Sequence, residues 1–98
     1  MKTRYTATAS REFDLAVEYL LQHAPHVAAG FADSVEYAIA ELVANALSAQ
    51  EPEHQGVRRK YIHRFRYALF YSVNQDADEL LILNIRHAAR RWPWEASS

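Results

Sequence analysis

The fold is decided by residues 57–87, which read VRRKYIHRFRYALFYSVNQDADELLILNIRH. Side chains alternate in character along 57–64, and 66–73 is aromatic and β-branched, as expected of strands. An acidic turn over 74–78 precedes 79–87, the most apolar segment, which we expect to be the central strand, covered on both faces. Because short loops join the three segments, they are predicted to pair antiparallel.

A strand and a helix are predicted at the N-terminus. Residues 1–9 show a weak period of two, which allows a short strand. Ser10 is the predicted N-cap of a helix over 11–24, and Glu12 lies in its first turn, where the helix dipole favours an acidic side chain. Apolar side chains then recur at helical spacing to the end of this segment.

A second helix is predicted directly after the first. Pro25 ends the first helix and suits the first turn of the next, over 26–47. Gly30 lies inside it, where glycine costs about 1 kcal/mol relative to alanine. Residues 48–56 are a polar loop and 88–98 a C-terminal tail. The predicted fold is α+β, in the order β-α-α-β-β-β, with two N-terminal helices packed on a curved antiparallel sheet.

Composition limits the kind of protein. The 98 residues suit a single domain, 1–98, and a hydrophobic share of 50% is enough for a core. The absence of cysteine excludes disulfides, thiolate zinc sites and cysteine nucleophiles. The N-terminus lacks the apolar region of a signal peptide, and no apolar run reaches the roughly 18 residues of a membrane span. We therefore expect a soluble, cytoplasmic protein with no membrane partner.

The net charge of −1 conceals an asymmetry. Residues 1–56 carry three basic and eight acidic side chains, whereas residues 57–98 carry eight basic and four acidic ones. A basic face attracts phosphates or acidic partners. The alternative is an ordinary solvated sheet face, but the concentration of eight cations in one half favours a binding face.

Three motifs occur in a characteristic order in the second half. Residues 56–59 (GVRR) open a strand, 64–71 (RFRYALFY) form an aromatic strand, and 85–87 (IRH) are followed by RRWPW at 90–94. These motifs resemble, in turn, the second strand, the third strand and the C-terminal ending of the RelE/ParE superfamily of toxins. The ending is most similar to that of ParE-like and plasmid-stabilisation proteins. The chain is therefore identified as a member of this superfamily, closest to its ParE-like toxins.

The resemblance implies the toxin component of a type II toxin–antitoxin system. Such a toxin is neutralised by a labile antitoxin from the same operon, with which it forms a hetero-oligomer. ParE-like members poison DNA gyrase, whereas RelE-like members cut messenger RNA in the ribosomal A site. Because one scaffold carries both activities, the fold does not decide between them.

A RelE-like nuclease would need a base, an acid and cations that stabilise the phosphorane. Ala68 occupies the third-strand position where the resemblance to RelE-like members places an arginine, and the C-terminal tyrosine of those members is missing. Arg59, His63 and His87 remain as a minimal catalytic set, provided that they share one face. The missing groups favour a gyrase poison that is not an enzyme over a metal-independent mRNA interferase.

Gyrase poisoning demands a docking surface rather than proton transfer. Arginine and tryptophan are enriched at binding hot spots. The residues predicted to bind the target are therefore those of the C-terminal ending, namely Arg86, His87, Arg90, Arg91, Trp92 and Trp94. The alternative for the two tryptophans is a role in capping the core. An acidic or amphipathic antitoxin segment would lie over the basic half, which selects as antitoxin-binding residues Arg58, Arg59, Lys60, Arg64 and Arg90.

Two further interpretations are a non-toxic binding module and a protein with a metal or cofactor site. A degenerate, non-toxic member would act only as an antitoxin-binding module, through the same surface. A metal site is not expected, because no cysteine or carboxylate pattern accompanies the histidines, which are His23, His26, His54, His63 and His87. With only two glycines the chain has no phosphate-binding loop, so no cofactor is expected either.

Overall fold

A computed structural model describes residues 1–45 and 56–87. Two helices pack on one face of a four-stranded sheet, so the predicted α+β class is confirmed. The elements, in chain order, are β1 (Lys2–Tyr5), α1 (Ala7–His23), α2 (Pro25–Asn45), β2 (Arg58–Tyr61), β3 (Tyr67–Asn74) and β4 (Glu79–His87).

The sheet is mixed, with the strand order β1-β4-β3-β2. β2 and β3, and β3 and β4, pair antiparallel as expected for strands joined by short loops. β1 pairs in parallel with β4, with Lys2 opposite Glu79 and Tyr5 opposite Ile82. The prediction of a wholly antiparallel sheet is therefore corrected at β1. Both helices and the β2–β3 hairpin separate β1 from β4, and such a long connection allows parallel pairing.

The first strand and the first helix differ from the predicted bounds 1–9 and 11–24. α1 begins earlier because Thr6, not Ser10, is its N-cap. The Thr6 hydroxyl accepts a hydrogen bond from the backbone N–H three residues later at 3.0 Å and donates one to the Leu83 carbonyl at 2.9 Å. The second bond joins the cap to β4, an advantage that Ser10, inside the helix, does not have.

α2 follows α1 after one intervening residue. The N–H of Ala24 donates to a carbonyl four residues earlier at 2.7 Å and closes α1. Pro25 is the first residue of α2, where its missing N–H costs nothing, so the helix starts one residue before the predicted range 26–47. The predicted end of that helix, most of the predicted loop and the C-terminal tail lie in 46–55 and 88–98, outside the described residues.

The β2–β3 hairpin turns over more residues than predicted. Ile62 N–H donates to the Tyr67 carbonyl at 2.9 Å, and Arg64 adopts a left-handed conformation with φ of 71°. The predicted strands 57–64 and 66–73 are therefore corrected to the bounds of β2 and β3, because the turn removes the last three residues of the first range from the ladder.

Among the described residues, the helices and one face of the sheet enclose a cluster of buried apolar side chains. Phe31 is at its centre, with a ring contact to Phe13 of α1 and others to Phe65 and Tyr67. β3 and β4 contribute to this cluster the side chains of Leu69, Tyr71, Leu80, Ile82 and Ile85.

A β-bulge interrupts β4. Phe70 pairs with Asn84 and Tyr71 pairs with Ile82, so Leu83 is the extra residue on the bulged strand. An extra residue moves the following side chains to the other face and bends the strand. The bulge is the reason that Ile85, like Ile82, faces the helices.

Candidate functional site

α1, the start of β3 and the end of β4 enclose a cavity of about 250 Å³, called here the α1–β4 groove. Leu15 and Tyr19 of α1 remain 52% and 53% exposed beside it. Exposed apolar side chains around a concave surface are typical of an interaction site. The groove is lined by Glu12, Leu15, Ala16, Tyr19, Tyr67, Ile85, Arg86 and His87.

The carboxylate of Glu12 binds three donors on consecutive residues of β4. Its Oε1 accepts hydrogen bonds from Asn84 Nδ2 at 3.1 Å and from the Ile85 N–H at 3.0 Å. Its Oε2 accepts a hydrogen bond from Arg86 Nε at 3.0 Å, which is also an ion pair. Because β1 pairs with β4 only as far as Ile82, this carboxylate completes the edge of β4 that β1 leaves open.

Sequence reasoning missed the role of Glu12 and treated it as a helix-dipole residue of the first turn. With α1 starting at Ala7, Glu12 lies in the second turn, one turn before the buried Ala16. That i, i+4 spacing puts its side chain on the helix face that covers β4. The only local signal was an acid next to an apolar helical stripe, and its partners lie 72–74 residues away in the chain.

His87 lies on the helix side of the sheet. Its ring contacts Tyr67, the opposite residue on β3, edge-on with the centroids 5.2 Å apart. Tyr67 in turn contacts Phe31 of α2 at 5.1 Å. The structure therefore brings two of the predicted target-binding residues, Arg86 and His87, to one wall of the α1–β4 groove.

Arg59 lies on the opposite face of the sheet from His87. It pairs with Phe70, whose neighbours Leu69 and Tyr71 belong to the helix-facing core, so alternation directs Arg59 away from the helices. The Arg59 guanidinium lies 4.7 Å from the ring centroid of Tyr61, two residues further along the same face.

The predicted nuclease set is consequently not brought together. Arg59 and His87 lie on opposite faces, and His63 is exposed in the turn after β2. Ala68 is buried in β3 directly opposite Arg86, so the position at which the resemblance places an arginine in RelE-like members holds a buried methyl group.

The predicted antitoxin-binding cations are divided between the two faces. Arg58 and Lys60 alternate with Arg59 and lie on the helix side, where Lys60 Nζ is 3.1 Å from Glu41 Oε1 of α2. Arg64 is exposed in the turn that follows. Since β2 is an edge strand of the sheet, all four residues lie at this one edge, although their side chains do not share a face.

Several predicted site residues fall outside the described ranges, namely Arg90, Arg91, Trp92, Trp94 and His54. Within residues 1–45 and 56–87, no group of three or more histidine, aspartate or glutamate side chains is arranged to hold a metal ion. The same residues contain no helix with both the length and the apolar character needed to cross a membrane.

A second cavity, of about 300 Å³, lies between the two helices beside β1. Tyr5 and Glu36 are on its wall, together with Phe13 and Val35. Burial raises the pKa of the Tyr5 phenol, and the negative charge of Glu36 raises it further. This cavity includes none of the predicted site residues.

A comparison with known protein families identifies the family to which the chain belongs. The profile of the family described as "ParE toxin of type II toxin-antitoxin system, parDE" matches residues 3–92, almost the whole chain. The chain belongs to this family. It is therefore a ParE-type toxin of a type II toxin–antitoxin system, as the resemblance implied.

Solved structures support the fold of this ParE-family chain. A structure of the chromosomal ParDE system from P. aeruginosa is 22% identical, with a TM-score of 0.73 over 89% of this chain and 95% of that one. The RelBE2 toxin–antitoxin complex from Mycobacterium tuberculosis is 24% identical, with a TM-score of 0.58 over 88% and 95% of the two chains.

A third structure, the YoeB/ParE toxin from Agrobacterium tumefaciens, is 14% identical, with a TM-score of 0.61 over 89% of this chain and 98% of that one. At these identities the likeness concerns the fold.

A search of curated protein sequences finds no match. Membership of a toxin–antitoxin family implies an antitoxin as partner.

Proposed function

We propose that this ParE-family toxin inhibits growth by poisoning DNA gyrase. The proposed contact is the end of β4 with the tail that follows it. Such a toxin needs a surface that docks on gyrase, or on gyrase with its DNA, and traps the cleaved complex. The residues proposed to make this contact are Arg86, His87, Arg90, Arg91, Trp92 and Trp94.

The α1–β4 groove is the observation that carries the proposal. Arg86 and His87 share one of its walls, and Leu15 and Tyr19 are exposed on the other. A cation beside exposed aromatic and aliphatic side chains is the composition found at the centre of protein–protein interfaces. The groove therefore suits a macromolecular partner.

The alternative activity, ribosome-dependent mRNA cleavage, receives less support. General acid–base cleavage requires its groups within hydrogen-bond reach of one phosphodiester. Arg59 and His87 lie on opposite faces of the sheet, and the alanine at position 68 supplies no charge for a phosphorane. These features favour the gyrase proposal over the nuclease.

Two assays run in parallel test the proposal. Purified toxin, free of antitoxin, is added to a gyrase supercoiling reaction and to ribosomes programmed with mRNA. We expect loss of supercoiling with cleaved DNA trapped on gyrase, and intact mRNA. Arg86→Ala should weaken gyrase inhibition. Arg59→Ala serves as the matched control and should not, because Arg59 is on β2, two strands away from β4, and does not line the groove. Cleaved mRNA with unaffected gyrase would overturn the proposal in favour of the nuclease.

Expression without antitoxin tests the remaining alternative, a non-toxic antitoxin-binding module. Bacterial cells that express the chain alone should stop growing, and co-expression of the cognate antitoxin should restore growth. Normal growth with soluble toxin in the cells would contradict any toxic activity.

The cognate antitoxin is proposed to use an acidic segment that runs along the outer edge of β2. From this edge a single segment reaches cations on both faces, with Arg58 on the helix side and Arg59 on the other. Charge reversal at either residue should weaken the complex and reduce its dependence on salt. The full set proposed for this contact is Arg58, Arg59, Lys60, Arg64 and Arg90. An affinity that is unchanged after both reversals would contradict this arrangement.

A further inference from the structure

The two oxygens of the Glu12 carboxylate have separate partners. Oε1 receives the Asn84 amide and the Ile85 backbone N–H, at 3.1 and 3.0 Å, and so supports the edge of β4. Oε2 receives Arg86 Nε at 3.0 Å. One oxygen thus supports the strand and the other holds a side chain.

The bond to Oε2 restrains the side chain of Arg86 before any partner arrives. The side chains of Glu12 and Arg86 are 15% and 24% exposed, so solvent screens their attraction only in part. A guanidinium group is planar, and a bond through Nε restricts both the plane of the group and the torsions of its stem. Arg86 is therefore held in place on the wall of the α1–β4 groove.

We propose that Glu12 is a positioning residue, which presents Arg86 to the target in the geometry that binding requires. The inference rests on the proposed function, because it takes Arg86 to be a target contact. An arginine that is ordered in the free toxin loses little side-chain freedom on binding, whereas an unrestrained one must be ordered at that step. Glu12 has this role through its hydrogen bond to Arg86 Nε.

The variant Glu12→Gln separates the two oxygens. If the amide oxygen of the glutamine takes the position of Oε1, it keeps the hydrogen bonds from Asn84 and Ile85. If it takes the position of Oε2 instead, it keeps only the bond from Arg86. The glutamine should therefore retain the bonds to Asn84 and Ile85 and turn its NH2 group toward Arg86 Nε. Two donors then face each other, so the variant removes this restraint on Arg86 while β4 stays in place.

The test is a double-mutant cycle of Glu12→Gln, Arg86→Ala and the combined variant. The readouts are the toxin concentration that half-inhibits gyrase supercoiling, growth arrest at titrated expression, and the thermal unfolding midpoint. We expect Glu12→Gln to lose about tenfold in potency, the effect of ordering one long side chain on binding. The combined variant should be no weaker than Arg86→Ala alone, and the unfolding midpoint of Glu12→Gln should stay within a few degrees of wild type. Glu18→Gln, exposed on the same helix, is the matched control and should retain full potency.

The possible failures are distinguishable. Full potency of Glu12→Gln beside a weakened Arg86→Ala would overturn the positioning role and leave the proposed function intact. Potency losses that add in the combined variant would also overturn it, because Glu12 would then act independently of Arg86. If wild-type toxin arrests growth without affecting gyrase, the gyrase proposal fails. The double-mutant cycle then tests the positioning role through growth arrest only. Full potency of Arg86→Ala in both assays would remove Arg86 from the target surface and this inference with it.

Discussion

Thr6 Oγ1 lies 2.9 Å from the carbonyl oxygen of Leu83 and donates a hydrogen bond to it. The same hydroxyl accepts the N–H of Ala9 and caps α1, so one side chain joins the first turn of the helix to the bulged residue of β4. Together with Glu12, this contact holds α1 on the strand that carries the proposed target surface.

Loss of the Thr6 hydroxyl should destabilise the fold. Thr6→Ala removes the helix cap and leaves the Leu83 carbonyl without this donor, at a cost of about 1–2 kcal/mol in the free energy of unfolding. Thr6→Ser retains the hydroxyl and should lose less than about 0.5 kcal/mol. Urea unfolding followed by circular dichroism measures both. Equal losses in the two variants would show that the methyl group, rather than the hydroxyl, is responsible.

Two carboxylates that form ion pairs should differ in their contribution to stability. Glu12→Ala leaves the Ile85 N–H and Arg86 without their carboxylate partner in a partly buried site, so we expect a loss of about 2–3 kcal/mol. Glu41 pairs with Lys60 where the two side chains are 46% and 30% exposed, and Glu41→Ala should lose at most about 1 kcal/mol. Chemical denaturation of both variants at one ionic strength makes the comparison. A larger loss at Glu41 would contradict this ranking.

Phe31 should be among the most sensitive positions of the core. It is fully buried and contacts aromatic rings from α1, the β2–β3 turn and β3. Phe31→Ala should cost about 3–5 kcal/mol, through lost burial and the cavity it leaves. Phe31→Leu fills most of that volume and should cost clearly less. Thermal unfolding compares the two, and similar midpoints would mean that the aromatic contacts rather than the filled volume stabilise this site.

Gly30 and Gly56 should respond to alanine in opposite directions. Gly30 lies inside α2, and apart from its own helix no atom comes within 4 Å of the position that a Cβ would take. Gly30→Ala should therefore raise the free energy of unfolding by about 0.5–1 kcal/mol. Gly56 has a φ of +81°, and Gly56→Ala should destabilise by about 1 kcal/mol. Unfolding free energies of the two variants test the pair. Destabilisation by Gly30→Ala would reveal a requirement for backbone freedom in α2.

Alkaline pH should weaken the fold through Tyr71. Burial raises the pKa of this phenol, and the positive charge of Arg58 opposes the shift in part. The folded state therefore keeps the phenol proton at a pH where the unfolded chain has lost it. The contribution of Tyr71 to the free energy of unfolding is fully present below a pH of about 10, and it is lost as the pH rises through the pKa of the folded state.

The variant Tyr71→Phe checks this dependence. Urea unfolding between about pH 8 and 11 should show a shallower alkaline decline in Tyr71→Phe than in wild type, with part of the decline remaining because the pKa of Tyr5 is also raised. Tyr37→Phe, at an exposed position, is the control and should decline as wild type does. Identical slopes for all three proteins would exclude Tyr71 as the source.

Local pattern was sufficient where neighbouring residues determine the structure. The strand predicted over 79–87 has the observed bounds of β4, because an acidic turn before it and a continuous apolar run mark it within a few residues. The alternation of Arg58 and Arg59 between faces likewise follows from the two-residue period of a strand. The family could be inferred for a similar reason, since short motifs in a set order carry it.

Contacts between distant residues decided the rest. Thr6 and Ser10 are both good caps in isolation, and only the Leu83 carbonyl, 77 residues away, favours Thr6. Parallel pairing of β1 with β4 is equally a choice among distant partners.

The amino-acid sequence by itself determined the class of fold, the identity of the strands and the toxin family, because these depend on periodicity, turn residues and short motifs. The tertiary structure alone decided which residues meet. The run Leu80–Leu81–Ile82–Leu83 is apolar throughout, so its pattern does not reveal the bulge at Leu83. Because of that one extra residue, His87 lies on the face toward the helices, whereas Arg59 lies on the other. The packing of α1 against β4 places Glu12 beside Arg86.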